Sequence, residues 1–281
     1  MPTWGEARVA AVERLGLGAD PQTAVLDADV LLAFVLDVRK EDVLAHPERQ
    51  IGEVELARYR TAVERRARGE PVAYLRGFKE FYGLRFAVDP RVLIPRPETE
   101  VLVDAAREFI AGRRLVLVDV GTGCGAIAVA LAASERSLRV IGTDTSHGAL
   151  EVAKTNAVSN RVAGRVDFRL GDLLDPIVER VDVVCANLPY LPNEALGRLV
   201  GERTSLAFEP REAVLAGDDG LDVIRRAVAQ LPRVLAPGGA AFFECDPPQV
   251  KRVERMFVDI GMRTRVVRDL TGAERVISSF A

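Results

Sequence analysis

The 281-residue sequence has no uninterrupted apolar run of about 18 residues, so no segment is patterned to span a membrane as a helix. It has three cysteines, Cys124, Cys185 and Cys245, without a CxxC pair, and two histidines, neither beside a cysteine. That spacing argues against a disulfide framework and against a structural zinc site. The three thiols read as small buried residues in a reducing cytosol. There is no excess of positive charge: 38 lysines and arginines stand against 41 acidic residues, a net charge of −3. A protein that coats nucleic acid is usually basic, so that class is disfavoured. The opening "MPTWGEARVAAVERLG" carries acid early and lacks an apolar core of signal-peptide length. A cytoplasmic, monomeric protein with no metal is expected.

What is present is patterned. Residues 1 to about 70 read as helices. Over 22–37, Leu26, Val30, Phe34 and Val35 recur at helical spacing behind Asp20-Pro21. Over 51–69, Leu56, Tyr59 and Val63 share a face that Gly69 ends, with Arg65, Arg66 and Arg68 on a solvated face. Residues 71–97 change character: aromatics, glycines and prolines interrupt short alternating runs such as Leu84, Phe86 and Val88, the pattern of a hairpin or extended linker. A helix follows, with Pro97 in its first turn and Glu98 and Glu100 at its positive end.

From residue 115 onward, apolar runs over 115–120, 138–144, 165–170, 181–186 and 239–245 alternate with helical patterns over 125–134, 147–159 and 220–236. Two further strands, 263–270 and 273–280, close the chain. Such alternation predicts a doubly wound α/β sheet that binds ligands at the carboxyl ends of its strands.

The stretch "DVGTGCGAIA" (119–128) follows the first of these strands. Gly121, Gly123 and Gly125 let the backbone turn sharply and approach a ligand, and the helix start offers unpaired N–H groups. Asp144 ends the second strand, about 20 residues past the loop, placed to accept from ribose hydroxyls. Gly121, Gly123 and Ala126 also satisfy the dinucleotide pattern, so the glycines alone leave two cofactors open. Asp119 favours one of them: a carboxylate beside the loop repels a pyrophosphate and suits the cationic amino-acid end of S-adenosylmethionine. Asp172, after the third strand, adds an acceptor for an adenine amino group.

At the fourth strand end stands "ANLPYLP" (186–192). Methyl transfer from a sulfonium needs a nucleophile held in line and close to the methyl. A planar amide or base nitrogen is a poor nucleophile, and two acceptors on its N–H groups orient it and stabilise the charge that develops. Asn187 supplies one through its side-chain oxygen. The carbonyl of Leu188 supplies the second, since Pro189 biases that residue to an extended conformation. Tyr190 offers a flat face. The alternative is a strand ended by a proline turn, with Asn187 capping backbone groups and Tyr190 in the core.

These residues resemble the N5-glutamine methyltransferases that modify peptide-chain release factors, the HemK/PrmC family. The resemblance covers nearly the whole chain: "DADVLLAFVLDV", "RRARGEPVAYLRGFKEFYGLRFAVDPRVLIPRPETE", "DVGTGCGAIAVALA", "NLPY", "FEPREAVLAGDDGLDVIRRAV" and "DLTGAERVI" stand in the family's order. It implies a seven-stranded class I S-adenosylmethionine-dependent (Rossmann-like) catalytic domain over 97–281, a hairpin linker over 73–96, and an N-terminal helical domain over 1–72 that docks the release factor. It also implies that the substrate is the glutamine of the release factor's Gly-Gly-Gln motif. Asn187, Leu188, Pro189 and Tyr190 would grip its amide. Asp119, Gly121, Thr122, Gly123, Asp144, Asp172, Leu173 and Asn187 would bind the cofactor, with Phe81, the Arg96-Pro97 turn, Thr99 and Glu100 about its methionine end. The sequence departs from the family pattern at Leu188, usually a second Pro, at Cys124, commonly Ser, and at "FECDPPQ" (243–249), which replaces the usual Glu-Ile-Gly run and reshapes the rim at Cys245 to Pro248. A ribosomal-protein glutamine, an exocyclic amine of a nucleic acid base, or a non-catalytic cofactor-binding role are the other readings.

Overall fold

The computed structural model describes residues 1–18, 20–195, 197 and 205–281. It divides into two units, one holding Met1–Gly77, the other Phe78–Ala195 and Glu209–Ala281.

The first unit is made of short helices. Thr3 accepts from the Glu6 amide while Glu6 accepts from the Thr3 amide, a capping box that starts α1 (Trp4–Gly16). A 3-10 turn leads into α2 (Ala24–Leu36), followed by α3 (Lys40–Ala45), α4 (Glu53–Ala67) and α5 (Val72–Arg76). The core gathers Leu15, Ala28, Leu31, Leu32, Tyr59 and Val63.

Two expectations need correction here. Leu26 is 51% exposed, and α2 instead buries Ala24, Ala28, Leu31, Leu32 and Val35, because it packs against both α1 and α4 and needs a wider buried band than one stripe. Arg66 is not solvated: it is 6% exposed and donates to Asp27 at 2.6 Å and Asp20 at 2.8 Å. Asp27 lies on the buried face of α2, and a buried carboxylate requires such a partner.

In the second unit, β1 (Phe78–Phe81) and β2 (Leu84–Ala87) form an antiparallel hairpin. Its turn residues Tyr82 and Gly83 have φ of 52° and 71°, the paired positive values of a two-residue turn that matches strand twist. α6 (Thr99–Ile110) follows, starting two residues beyond Pro97.

The main sheet holds β3 (Val116–Val120), β4 (Arg139–Asp144), β5 (Val166–Leu170), β6 (Val181–Ala186), β7 (Leu235–Glu244), β8 (Arg263–Arg268) and β9 (Glu274–Phe280), in the order β5-β4-β3-β6-β7-β9-β8. The first five strands in that order are parallel, and β9 is antiparallel to its neighbours. The connections include α7 (Ala126–Ser134), α8 (His147–Ser159), α9 (Asp222–Val234) and α10 (Val250–Asp259). The last was not expected, although Val250, Val253 and Phe257 form its buried face at helical spacing. Val118, Val120, Ile141, Val183 and Val184 are fully buried, which is why these strands read as apolar runs without alternation. The chain runs outward from β3 through β4 to β5, then returns to β6 on the other side of β3. The strand order thus reverses between β3 and β6, and their carboxyl ends flank a crevice. Among the described residues, no helix is long and apolar enough to cross a membrane.

Candidate active site

The glycine loop leaves β3 at Val120. Gly121, Gly123 and Gly125 all have positive φ. At Gly121, φ of 66° disfavours any side chain, and a Cβ there would stand 2.9 Å from Leu188 Cδ2, which would have to shift. The loop is tied to β4 twice: Thr122 N donates to the Thr143 carbonyl at 2.8 Å, and Gly123 N to Asp144 Oδ2 at 2.9 Å. The second Asp144 oxygen accepts from Ser146 N at 2.8 Å. Burial, opposed by those amides, leaves Asp144 above the usual carboxylate range.

Asp119 lies beneath the loop. Its Oδ2 accepts from the Thr122 hydroxyl at 2.6 Å and from Ala128 N at 3.1 Å, while Oδ1 is buried without a partner. Burial raises this carboxyl to about 7, against the pull of those two donors.

Two cavities meet at this crevice. The larger, about 300 Å³, is lined on the loop side by Gly121, Gly123, Asp144, Asp172 and Leu173, and on the β6 side by Asn187, Leu188 and Pro189. A small annex of about 50 Å³ shares Gly121, Gly123 and Asn187, and adds Thr122, Arg96 and Thr99. Asp119, Phe81, Pro97 and Tyr190 are not among the lining residues of either cavity.

Phe81, expected over the methionine end, is 2% exposed and packs edge-on against Phe86, because the tight hairpin turns both rings to one buried face. Tyr190 packs against the core cluster, where burial pushes its hydroxyl up to about 12. Its carbonyl accepts from Gln249 Nε2 at 2.8 Å, and a Cβ at Gly220 would stand 2.3 Å from that oxygen, so the turn after β6 is braced from behind. Leu188 is buried in the same cluster. Asp172 lines the larger cavity, but its carboxylate is paired with Arg226 of α9.

Asn187 is held by its nitrogen: Nδ2 donates to Thr99 Oγ1 at 2.9 Å, at the start of α6. Burial raises the carboxyl of Glu244, on the neighbouring strand, to about 7, against the pull of the Thr99 hydroxyl. The three thiols are buried, and burial pushes Cys124 and Cys245 up to about 12, so neither is poised as a nucleophile. No cluster of metal-ligating side chains occurs among the described residues.

Sequence reasoning passed over several residues of this site. Arg91, Val92 and Leu93 of the linker, and Glu212 and Arg226, line the larger cavity. Glu209 accepts from Ile94 N at 2.9 Å and from the Arg96 guanidinium, pinning the turn that ends at Pro97. The signal for Glu209 was its place in "FEPREA", but nothing local names its partners.

Comparison with known proteins places this geometry. Residues 6–77 match the PrmC N-terminal domain family, and residues 98–204 the methyltransferase small domain family. The chain is 38% identical over 262 residues to a release factor glutamine methyltransferase of Koribacter versatilis, covering 92% of each. It is 38% identical over 266 residues to one of Bordetella pertussis, covering 93% of this chain and 97% of the relative. Among solved structures it is similar to a methyltransferase from Pyrococcus furiosus, with a TM-score of 0.54 and 17% identity over 77% of this chain and 97% of that one. It is also similar to a ribosomal protein L11 methylase from Lactobacillus delbrueckii subsp. bulgaricus, with a TM-score of 0.50 and 18% identity over 66% and 79%. These two likenesses bear on the fold alone, which is the class I methyltransferase fold.

Proposed function

The chain belongs to the family of release factor glutamine methyltransferases, and on that premise we propose how its cleft performs the transfer. It is a protein-glutamine methyltransferase that modifies the side-chain amide nitrogen of a release-factor glutamine. The glutamine is that of the Gly-Gly-Gln motif, the methyl donor is S-adenosylmethionine, and the N-terminal helical domain docks the protein substrate.

The residues present fit that donor. The unpartnered, buried Asp119 Oδ1 suits a cationic ammonium. The glycine loop turns at Gly121 with a positive φ that favours glycine, and Asp144 and Asp172 offer acceptors along the larger cavity. When bound, the donor supplies an electrophilic methyl group on a sulfonium.

The chain's own residues prepare the acceptor nitrogen. Asn187 Oδ1 accepts one amide N–H and the Leu188 carbonyl accepts the other, aligning the nitrogen and stabilising the positive charge it gains. The methylated, protonated amide is acidic and loses its proton to water, so no strong general base is required. Leu188 serves where a second proline is usual because its side chain is buried over Gly121 and leaves the carbonyl to do this work. The observation that carries this reading is the Asn187 amide: its nitrogen is committed to Thr99 while the residue lines both cavities, which turns an acceptor toward the crevice.

Incubation with methyl-labelled S-adenosylmethionine and a purified release factor should label the factor and not an RNA substrate. Labelling of a release factor whose Gly-Gly-Gln glutamine is replaced by alanine would overturn the assignment.

A further inference from the structure

We infer that Asn156, which lines neither cavity, is a positioning residue for the cofactor: its side-chain amide joins the glycine loop to the linker, two segments that together line the larger cavity. This rests on the cofactor reading of that cavity given above.

Asn156 is not what helix packing alone would select. It is 1% exposed, on the face of α8 that also buries Ala149, Leu150, Val152, Ala153 and Ala157. A buried amide is costly unless its polar atoms are satisfied, and asparagine is a poor helix former. Alanine or leucine would fill such a face without that cost. What the amide gains is three hydrogen bonds to two other segments. Oδ1 accepts from Ala87 N at 2.7 Å, while Nδ2 donates to the Ala87 carbonyl at 3.0 Å and to the Cys124 carbonyl at 2.8 Å. The set fixes the amide one way round. Flipped, it would set Oδ1 against two carbonyls and its NH2 group against an N–H.

The two segments meet at one cavity. Ala87 ends β2, and Asn156 takes both of its backbone groups, as a further strand would at the edge of a two-stranded sheet. Just beyond it, Arg91, Val92 and Leu93 line the larger cavity. Cys124 stands between Gly123 and Gly125, and Gly121 and Gly123 line the same cavity. Helix α8 lies against both segments: a Cβ at Gly125 would stand 3.2 Å from Ala153 Cβ, and Arg91 Nη1 donates to Glu151 at 2.9 Å. Asn156 reaches both with one amide. The loop bonds made by Thr122 N and Gly123 N run to β4 instead and do not involve the linker.

Covering the edge of β2 requires only the two Ala87 bonds. The third bond, to Cys124, adds nothing to that edge; it sets how far the glycine loop stands from the linker. A loop released from it must be brought back to that distance when the cofactor binds, and the ordering is charged against affinity.

The test uses the full chain and reads S-adenosylmethionine Kd by calorimetry, with kcat and KM measured on a release factor at saturating cofactor. Asn156→Asp keeps the size and the bond from Ala87 N but sets an oxygen against the Cys124 carbonyl. Its Kd should rise about tenfold or more, while kcat and the KM for the release factor stay within about threefold. Asn156→Leu, which fills the apolar face and removes all three bonds, should raise Kd at least as far. Asn160→Ala is the control: Asn160 follows α8 and donates to the Arg85 carbonyl at 3.1 Å, on the same hairpin but away from the loop. Its Kd should move by no more than about threefold. A merely structural Asn156 would lower Tm in its two variants and leave the Kd of the folded protein where it was. Coupling is reciprocal, so in the wild type saturating cofactor should slow hydrogen exchange at Ala87 N, which lies outside both cavities. Wild-type Kd in a folded Asn156 variant, an equal rise in Asn160→Ala, or unchanged exchange at Ala87 overturns the inference. Failure of the wild type to bind S-adenosylmethionine would instead overturn the cofactor reading beneath it, so the two failures are distinguishable.

Discussion

Asn187 at the end of β6 stands between two buried carboxylates, Asp119 on the neighbouring strand β3 and Glu244 on the other neighbour, β7. Both are raised to about 7 by burial, and each keeps one oxygen without a partner. They differ in what satisfies the rest. Asp119 is held by Thr122 and Ala128, three and nine residues away, and so clamps its own loop. Glu244 meets Thr99, which comes from a distant part of the chain and carries Asn187. The first carboxylate is therefore tied to the glycine loop and the second lies on the side of Thr99 and Asn187, although their burial and ionisation are alike. Similar shifts in ionisation do not imply similar roles; the partners decide.

The comparison breaks most visibly at the residue between them. Asn187→Ala should reduce turnover by about 10²- to 10³-fold, as loss of a transition-state hydrogen-bond partner does, while cofactor affinity measured by calorimetry falls far less. A matching loss of affinity would merge the two sides into one.

Asp119 should show its difference from Glu244 in binding rather than turnover. A bound cation favours the ionised carboxylate, so cofactor affinity should be weaker below pH 7 and rise to a plateau as Asp119, raised to about 7 in the free protein, ionises. Binding below that pH should release a proton, detectable as a buffer-dependent calorimetric heat. Asp119→Asn should remove both effects and weaken binding by about tenfold, one charge-assisted contact. Glu244→Gln should leave them intact.

The smallest effects belong to the rim. Asp144→Ala should weaken cofactor affinity by about tenfold, the loss of hydrogen bonds to one carboxylate. Arg226→Ala, which frees Asp172 from an exposed ion pair, should change affinity by no more than about threefold. Equal losses in the two variants would mean that Asp172 needs its arginine as much as Asp144 needs its amides.

The parts legible in the sequence are those whose physics is local. The alternation of apolar runs and helical patterns predicts the doubly wound sheet, and all seven strands appear where that patterning puts them. The glycine loop is legible because a tight strand-to-helix turn needs positive φ at fixed positions, and the turn at Asn187 because prolines end strands. Leu26 and Arg66 depart from the expected pattern for one reason. Each is placed by neighbours from another element, and a residue's own segment does not tell which of its faces will be covered.

Periodicity, turn chemistry and the order of motifs along the chain thus determined the fold class, the crevice between β3 and β6, and the side chains at its strand ends. Only the tertiary structure decided that Glu209 pins Arg96, that Arg226 pairs with Asp172, and that Thr99 accepts from Asn187. Those contacts join residues far apart in the chain, and they form because sheet register and helix packing bring them together as water is excluded. Burial is also what lifts Asp119 and Glu244 toward neutral pH, and burial belongs to the folded molecule.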